Sequence, residues 1–170
     1  MNFRMLRISE KEQIEEFAKL AEVIWNEHFT SIIGKEQVDY MLDRFQSVHA
    51  VSDQIENQGY QYYFIEVDGK IAGYTGIHPE TETGKLFLSK LYLLKDFRKK
   101  GYASMAFDFL KQFCKDNTLD SIYLTVNKYN TDTISVYEAK GFKTVKSQVS
   151  DIGNGFVMDD YVMELEIKNK

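Results

Sequence analysis

The chain has 170 residues, 44% of them hydrophobic, and a net charge of −5. This apolar content predicts one compact domain over 1–170, while the acidic balance argues against nucleic acid as a main partner. A lone cysteine, Cys114, excludes an internal disulfide and a cysteine-rich zinc site. No apolar targeting segment opens the chain and no run approaches ~18 apolar residues, so we expect a cytoplasmic protein that does not bind membranes.

The first third of the chain is predicted to contain one strand followed by helices. Residues 3–8 alternate between apolar and polar side chains, which predicts a strand. A capping-box pattern at Ser9 precedes a helical spacing that continues to about Asn26. Further apolar spacings predict helices over 35–46 and 51–57.

After residue 59 the pattern changes to alternating strands. Asp68-Gly69 predicts a tight hairpin turn between strands 60–67 and 70–77. The remaining predicted elements are a strand at 85–94, a helix at 101–117, a strand at 121–127, a helix at 131–140 and strands at 142–149 and 156–167. A strand, a helix and a strand in succession indicate one parallel pair among antiparallel strands. The predicted fold class is therefore a mixed α/β sheet.

The helix start at Gly101 carries three cations and no side-chain cap. Arg98, Lys99 and Lys100 come directly before it, where a Ser, Thr, Asp or Asn would usually accept a hydrogen bond from the first turn. Positive charge is unfavourable at this end of a helix dipole. An anion would relieve both defects, because the backbone amides and the cations would converge on it. The segment is either an anion site or a basic, solvated turn.

Two polar residues follow the strand that ends at Asn127. Asn130 lies just past the end of that strand, and Tyr137 comes seven residues later, on the same side of the next helix. Asn130 either caps the helix or contacts a ligand, and Tyr137 either packs in the core or contacts a ligand.

Together these segments resemble the GCN5-related N-acetyltransferase (GNAT) superfamily. The matching parts are Leu86–Leu94, Arg98-x-x-Gly101-x-Ala103 and Asn130-x6-Tyr137-x3-Gly141-Phe142. The resemblance implies a GNAT-type α/β fold, with a twisted, mostly antiparallel sheet, a central parallel pair and about four flanking helices. It also implies an enzyme without a metal, which transfers an acetyl group from acetyl-CoA, its cosubstrate, to a primary amine.

The resemblance also implies roles for individual residues. The family's loop whose backbone amides bind the pyrophosphate of coenzyme A matches the residues Arg98, Lys99, Lys100, Gly101, Tyr102, Ala103 and Ser104. Leu91 and Leu93, with Tyr92 between them, match the strand positions whose backbone pairs with the pantetheine arm. Asn130 matches a coenzyme-contacting asparagine. Tyr137 matches the general acid that protonates the departing thiolate, the only catalytic residue assigned here.

The general base departs from the family's pattern. Many relatives carry a strand carboxylate, and the equivalent positions here are Phe87, Ser89 and Thr125, none of which is a base. Either a water molecule passes the amine's proton to another residue, or the enzyme binds the rare neutral amine. The residues that water could link are Glu27, His28 and His78.

The N-terminal helices, which commonly form the acceptor side in this superfamily, combine acidic and aromatic residues. They carry Glu22, Glu27, Glu36, Asp39 and Asp43 among Trp25, Phe29, Tyr40 and Phe45. This composition suits a cationic amine, and residues 24–29 also resemble the PaiA-type polyamine acetyltransferases. We therefore expect a polyamine acceptor. The alternatives are a protein N-terminus or lysine, an aminoglycoside, or a non-catalytic acyl-CoA sensor.

The oligomeric state is not determined by these patterns. The apolar residues Phe156, Val157 and Met158 either pair across a dimer or complete the sheet. Family analogy favours a homodimer.

Overall fold

The computed structural model describes residues 2–167. Its elements are β1 (Phe3–Ile8), α1 (Lys11–His28), α2 (Thr30–Ile33), α3 (Lys35–Phe45), α4 (Val48–Asn57), β2 (Gln61–Val67), β3 (Lys70–Glu80), β4 (Lys85–Leu93), α5 (Tyr102–Asp116), β5 (Ser121–Asn127), α6 (Thr131–Ala139), β6 (Lys143–Gly153) and β7 (Phe156–Glu166). The strands form one sheet of order β1-β2-β3-β4-β5-β7-β6. The pairing of β4 with β5 is parallel, whereas β1–β2, β2–β3, β5–β7 and β6–β7 are antiparallel.

This architecture confirms the predicted mixed α/β class and its parallel pair. Within the described residues there are six α-helices rather than about four. The short α2 was not predicted from the pattern, and α4, which was predicted over 51–57, begins three residues earlier, at Val48. None of the helices in this part of the chain is long and apolar enough to cross a membrane.

The chain divides into two compact units. The first contains the residues up to His78 together with Lys90–Leu110, and the second contains Pro79–Ser89 and the residues from Lys111 onward. Both β4 and α5 therefore contribute to each unit. We describe the two units separately.

The core of the first unit lies where α1 and α4 cover one face of β2 and β3. Phe17 of α1 is fully buried and meets the rings of Tyr62 and Tyr74 edge-on, at centroid distances of 5.1 and 4.5 Å. Val51 of α4 belongs to the same cluster. The opposite face of β2, which carries Ile65, packs against α5. Alternation along β2 thus places its side chains in two separate clusters.

Local signals explain the element boundaries in this unit. The Gln13 side chain accepts hydrogen bonds from the backbone N–H groups of Ser9 and Glu10, both at 2.9 Å, so the capping box begins at Glu10, one residue after the predicted position. The turn between β2 and β3 has positive φ at both Asp68 (50°) and Gly69 (80°). These are the signs of a type I′ turn, and the predicted hairpin is confirmed.

The second unit contains the start of β4 with β5, β7 and β6. Buried side chains of β5 and β7, including Ile122, Leu124 and Met163, form its apolar interior. Cys114 of α5 is buried, as its helical spacing predicted. Lys85 of β4 forms an ion pair with Glu164 of β7 at 3.0 Å.

Candidate active site

The parallel ladder between β4 and β5 is short. It consists of the pairs Lys85–Ser121, Leu86–Ile122 and Phe87–Tyr123. The predicted pantetheine-binding residues Leu91, Tyr92 and Leu93 follow the end of this ladder and belong to the first unit. Beyond this ladder β4 keeps β3 as its hydrogen-bonded neighbour on one edge. The backbone groups of the other edge can pair with an extended ligand, which adds itself as a strand.

Side-chain packing on both faces holds this part of β4. Leu91 and Leu93 pack against the cluster that includes Ala106 of α5. Tyr92 faces the other way, with its ring centroid 5.7 Å from that of Trp25 and 5.6 Å from that of Phe29. The backbone between these side chains is therefore held in place by two separate apolar clusters.

Arg98 is bound to the protein and is not one of three bare cations, as the sequence had suggested. Its Nε donates a hydrogen bond to the carbonyl oxygen of Leu93 at 3.0 Å, and its Nη2 lies 3.9 Å from a carboxylate oxygen of Glu27. The guanidinium therefore ties the loop to the end of β4. The exposed cations of the loop are Lys99 and Lys100.

The turn that leads into α5 has the backbone geometry of an anion site. Lys99 and Gly101 have positive φ values of 61° and 88°, and Lys100 between them does not. Alternation of this kind directs successive N–H groups to one side. The first helical hydrogen bond runs from the Met105 N–H to the Gly101 carbonyl at 3.2 Å, so the N–H groups of the first turn, from Tyr102, lack an acceptor within the helix. No described atom lies within 4 Å of a Cβ built on Gly101, so the turn is open to a ligand.

Charge reversal at Lys100 tests this turn. Lys100→Glu should weaken acetyl-CoA binding by about tenfold at low salt, because it replaces an attraction to phosphate by a repulsion. The loss should shrink as the salt concentration rises. Isothermal titration at two salt concentrations measures both effects. Lys115→Glu, exposed in the last turn of the same helix, is the control, and equal losses in the two variants would exclude the turn as the phosphate site.

Asn130 and Tyr137 lie in the second unit. Asn130 is the N-cap residue of α6 and is 6% exposed, but its side chain makes no capping hydrogen bond. The structure therefore does not use this amide as a helix cap. The Tyr137 ring packs 5.6 Å from that of Phe142, and burial raises the pKa of Tyr137 to about 12. Its phenol thus stays protonated at neutral pH, the form that a proton donor requires.

Residues 17–142 match the family model described as the acetyltransferase (GNAT) family, which is well over half of the chain. The chain belongs to this family. A curated relative, an uncharacterised N-acetyltransferase from the pepI 3′ region of Lactobacillus delbrueckii subsp. lactis, is 22% identical over 157 residues, which cover 89% of this chain and 90% of the relative.

Solved GNAT structures share the fold over nearly the whole chain. The PaiA N-acetyltransferase of Thermoplasma acidophilum, solved with coenzyme A, has a TM-score of 0.79 at 18% identity and covers 98% of this chain and 99% of its own. A chimera of the spermidine N-acetyltransferase SpeG of Vibrio cholerae and hSSAT has a TM-score of 0.71 at 15% identity, with 98% and 96% covered. At these identities the likeness establishes the fold of this GNAT enzyme.

The positions at which GNAT relatives carry a base hold other groups in this enzyme. The Phe87 ring stacks on that of Tyr123 at 5.0 Å, and the Tyr123 hydroxyl donates to Glu80 at 2.7 Å. Among the alternatives, Glu27 is engaged by Arg98. The rings of His28 and His78 pack against Phe29 and Tyr60, at 4.6 and 4.8 Å.

Sequence reasoning missed two buried ionisable residues of this GNAT enzyme. Lys90 of β4 is 6% exposed, and Asp160 of β7 is 5% exposed. Burial raises the pKa of Asp160 to about 6, and its Oδ1 has no hydrogen-bond partner within the described residues. The sequence carries a signal for both residues, because every second residue of a strand lies on the same face. Lys90 alternates with the apolar Leu86 and Leu88 in this way, and Asp160 alternates with Phe156, Met158 and Val162. A charged residue on the otherwise apolar face of a strand indicates a buried charge.

Proposed function

We propose that this GNAT enzyme transfers the acetyl group of acetyl-CoA to a polyamine such as spermidine. In the reaction the amine nitrogen attacks the thioester carbonyl carbon, the carbon–sulfur bond breaks, and the thiolate takes up a proton. Leu91–Leu93 would bind the pantetheine arm, the turn at Lys99–Gly101 the pyrophosphate, and Asn130 another part of the coenzyme. Tyr137 would donate the proton to the thiolate. The conformation of the turn and the protonated state of Tyr137 support these roles.

An acidic cavity among the N-terminal helices carries the proposal for the acceptor. Its volume is about 310 Å³, within the range of small-molecule sites. The residues that line it are Ala18, Glu22, Asp39, Leu42, Asp43, Gln46, Ser47 and Val48. Asp39 is paired with Lys35 at 2.7 Å. The other two carboxylates, Glu22 and Asp43, lie beside an apolar wall and suit a molecule that carries several ammonium groups on an aliphatic chain.

Charge, and not aromatic contact, supports this acceptor. Trp25 and Phe29 were expected to offer cation–π contacts, but both are buried, at 4% and 7% exposure, with their ring centroids 4.4 Å apart. The Trp25 indole N–H donates to the Tyr74 hydroxyl at 3.1 Å. These rings are therefore packed inside the first unit and do not offer a surface to a cation.

A panel of amines tests the proposal, with thiol release from acetyl-CoA as the readout. Spermidine should be acetylated faster than a lysine peptide, a peptide with a free N-terminus and an aminoglycoside. The double variant Glu22→Gln/Asp43→Asn should raise KM for spermidine about tenfold, because each lost ion pair contributes up to about 1 kcal/mol. KM for acetyl-CoA should not change.

The matched control removes the same charge elsewhere on α1. Glu15→Gln/Glu16→Gln alters two exposed carboxylates that do not line the cavity and should leave KM for spermidine unchanged. Preference for a peptide or an aminoglycoside would contradict the polyamine proposal. Coenzyme binding without release of thiol to any amine would instead indicate an acyl-CoA sensor.

A further inference from the structure

Lys90 places an amine inside the core of the first unit. Its Nζ donates a hydrogen bond to the Tyr62 hydroxyl at 2.6 Å and lies 5.0 Å from the centroid of the Tyr62 ring and 5.9 Å from that of Tyr60. Removal from water disfavours the ammonium form. As a result, burial lowers the pKa of Lys90 to about 7. A sizeable fraction of this side chain is therefore a neutral amine at neutral pH, with a lone pair that can accept a proton.

Tyr62 extends the hydrogen-bonded chain toward the surface. Its hydroxyl donates to Oε1 of Gln54, a half-buried residue of α4. Burial raises the pKa of Tyr62 well above its ordinary value, so its hydroxyl stays protonated. A hydroxyl in this position can take one proton and pass on another without becoming ionised.

The surroundings hold the pair in a fixed geometry. A Cβ on Gly76 would lie 2.7 Å from Cε1 of Tyr62, so the absence of a side chain at Gly76 is what lets the Tyr62 ring lie against β3. The Thr75 hydroxyl donates to the Lys90 carbonyl at 2.6 Å. Both partners are thus positioned by residues of β3, as a proton-transfer group must be.

The pair lies on the face of the sheet that α1 and α4 cover, the side on which the acceptor is proposed to bind. Tyr92 and Leu94 follow Lys90 at every second position of the chain, and they pack against the cluster that contains Phe17, Val51 and Tyr62. The titratable groups around the pair are Tyr60, Tyr74 and Tyr92, with His78 packed 4.8 Å from Tyr60. The tyrosines are neutral near pH 7.

We propose that Lys90, acting through Tyr62, accepts the proton of the substrate ammonium in this enzyme, in place of the missing strand carboxylate. This inference rests on the proposed function. With Lys90 neutral, the Tyr62 hydroxyl turns from Gln54 to the lone pair of Nζ and gives its proton to Lys90, while the Tyr62 oxygen takes a proton from the ammonium. The freed amine attacks the thioester, the carbon–sulfur bond breaks, and Tyr137 gives its proton to the thiolate. The amide nitrogen releases its second proton, which replaces the one lost from Tyr137, and Lys90 later returns its proton to water.

The pH profile of kcat at saturating amine tests the proposal, with spermidine or the most active amine of the panel. Wild-type kcat should rise with pH and level off above a bend near pH 7, because Lys90 accepts a proton only when neutral. Lys90→Met should lower kcat by about 100-fold or more and remove the bend. Lys90→Arg keeps the positive charge but cannot lose its proton, and it should be equally impaired.

Controls separate this role from a structural one. Lys85→Met on the same strand should keep both kcat and the bend, and all variants should bind acetyl-CoA as tightly as the wild type. If a Lys90 variant fails to fold, Tyr62→Phe provides the same comparison, since it removes the relaying hydroxyl and keeps the ring. NMR titration of the lysine side chains of the wild type should show one Nζ with a pKa near 7.

Two results would overturn the inference alone, with the proposed function intact. One is a Lys90→Met enzyme with wild-type kcat and an unchanged bend. The other is a wild-type lysine spectrum in which every side chain titrates near 10.4, the ordinary value. Failure of the wild-type enzyme to release thiol in response to any amine would overturn the proposed function as well.

Discussion

Phenylalanine at position 137 is expected to reduce kcat by about 10²–10⁴-fold, the usual contribution of a general acid. The hydroxyl of Tyr137 would supply the proton that makes the thiolate a stable leaving group. Burial raises the pKa of Tyr137 to about 12, so the phenol keeps its proton at neutral pH and can donate it. Tyr137→Phe removes one oxygen and keeps the ring against Phe142, so the fold should persist. Steady-state thiol release measures the effect.

Tyr129→Phe is the matched control for this prediction. Tyr129 lies in the same unit and is 72% exposed, so the loss of its hydroxyl should leave kcat unchanged. Acetyl-CoA affinity should be the same in both variants and in the wild type. A Tyr137→Phe enzyme with at least half of the wild-type kcat would show that water, and not this phenol, protonates the thiolate.

Alanine at Gly73 is expected to destabilise the protein by more than about 3 kcal/mol. A Cβ on Gly73 would lie 2.1 Å from the carbonyl oxygen of Tyr92 and 2.9 Å from Cα of Leu93. These are backbone atoms of β4, which cannot rotate away as a side chain can, so the strands must separate. The melting temperature should fall by about 10 °C. Because the displaced residues lie in the proposed pantetheine-binding segment, acetyl-CoA affinity should fall as well.

Gly69→Ala separates steric overlap from backbone strain. No described atom lies within 4 Å of a Cβ at Gly69, but its φ of +80° is a conformation that alanine adopts at a cost of about 1 kcal/mol. Thermal unfolding should therefore show a small loss for Gly69→Ala with unchanged coenzyme affinity. Equal losses in the two variants would mean that the contact between Gly73 and β4 is not a tight one.

Local sequence determined the turns and most strands of this protein. The hairpin at Asp68-Gly69 and the strand Ser121–Asn127 have their predicted positions, because turn conformation and the alternation of side chains depend on adjacent residues. Apart from the short α2, the order of the elements was predicted as well, and a strand, a helix and a strand in succession predicted the parallel pair. The family followed from the spacing of such local segments, from the loop after Arg98 to Tyr137.

Tertiary structure decided which polar groups are buried and what they contact. Arg98 belongs to a basic segment, but in the fold it donates to the Leu93 carbonyl. Trp25 was expected to face an acceptor and instead lies in the core. Lys90 meets Tyr62, which is 28 residues away along the chain. Burial and partners arise from contacts between distant residues, and the pKa of a buried amine depends on them. For this reason sequence patterns led to the family and to the turn proposed to bind the coenzyme, and only the packing of α1, α4 and β2 around β4 led to Lys90.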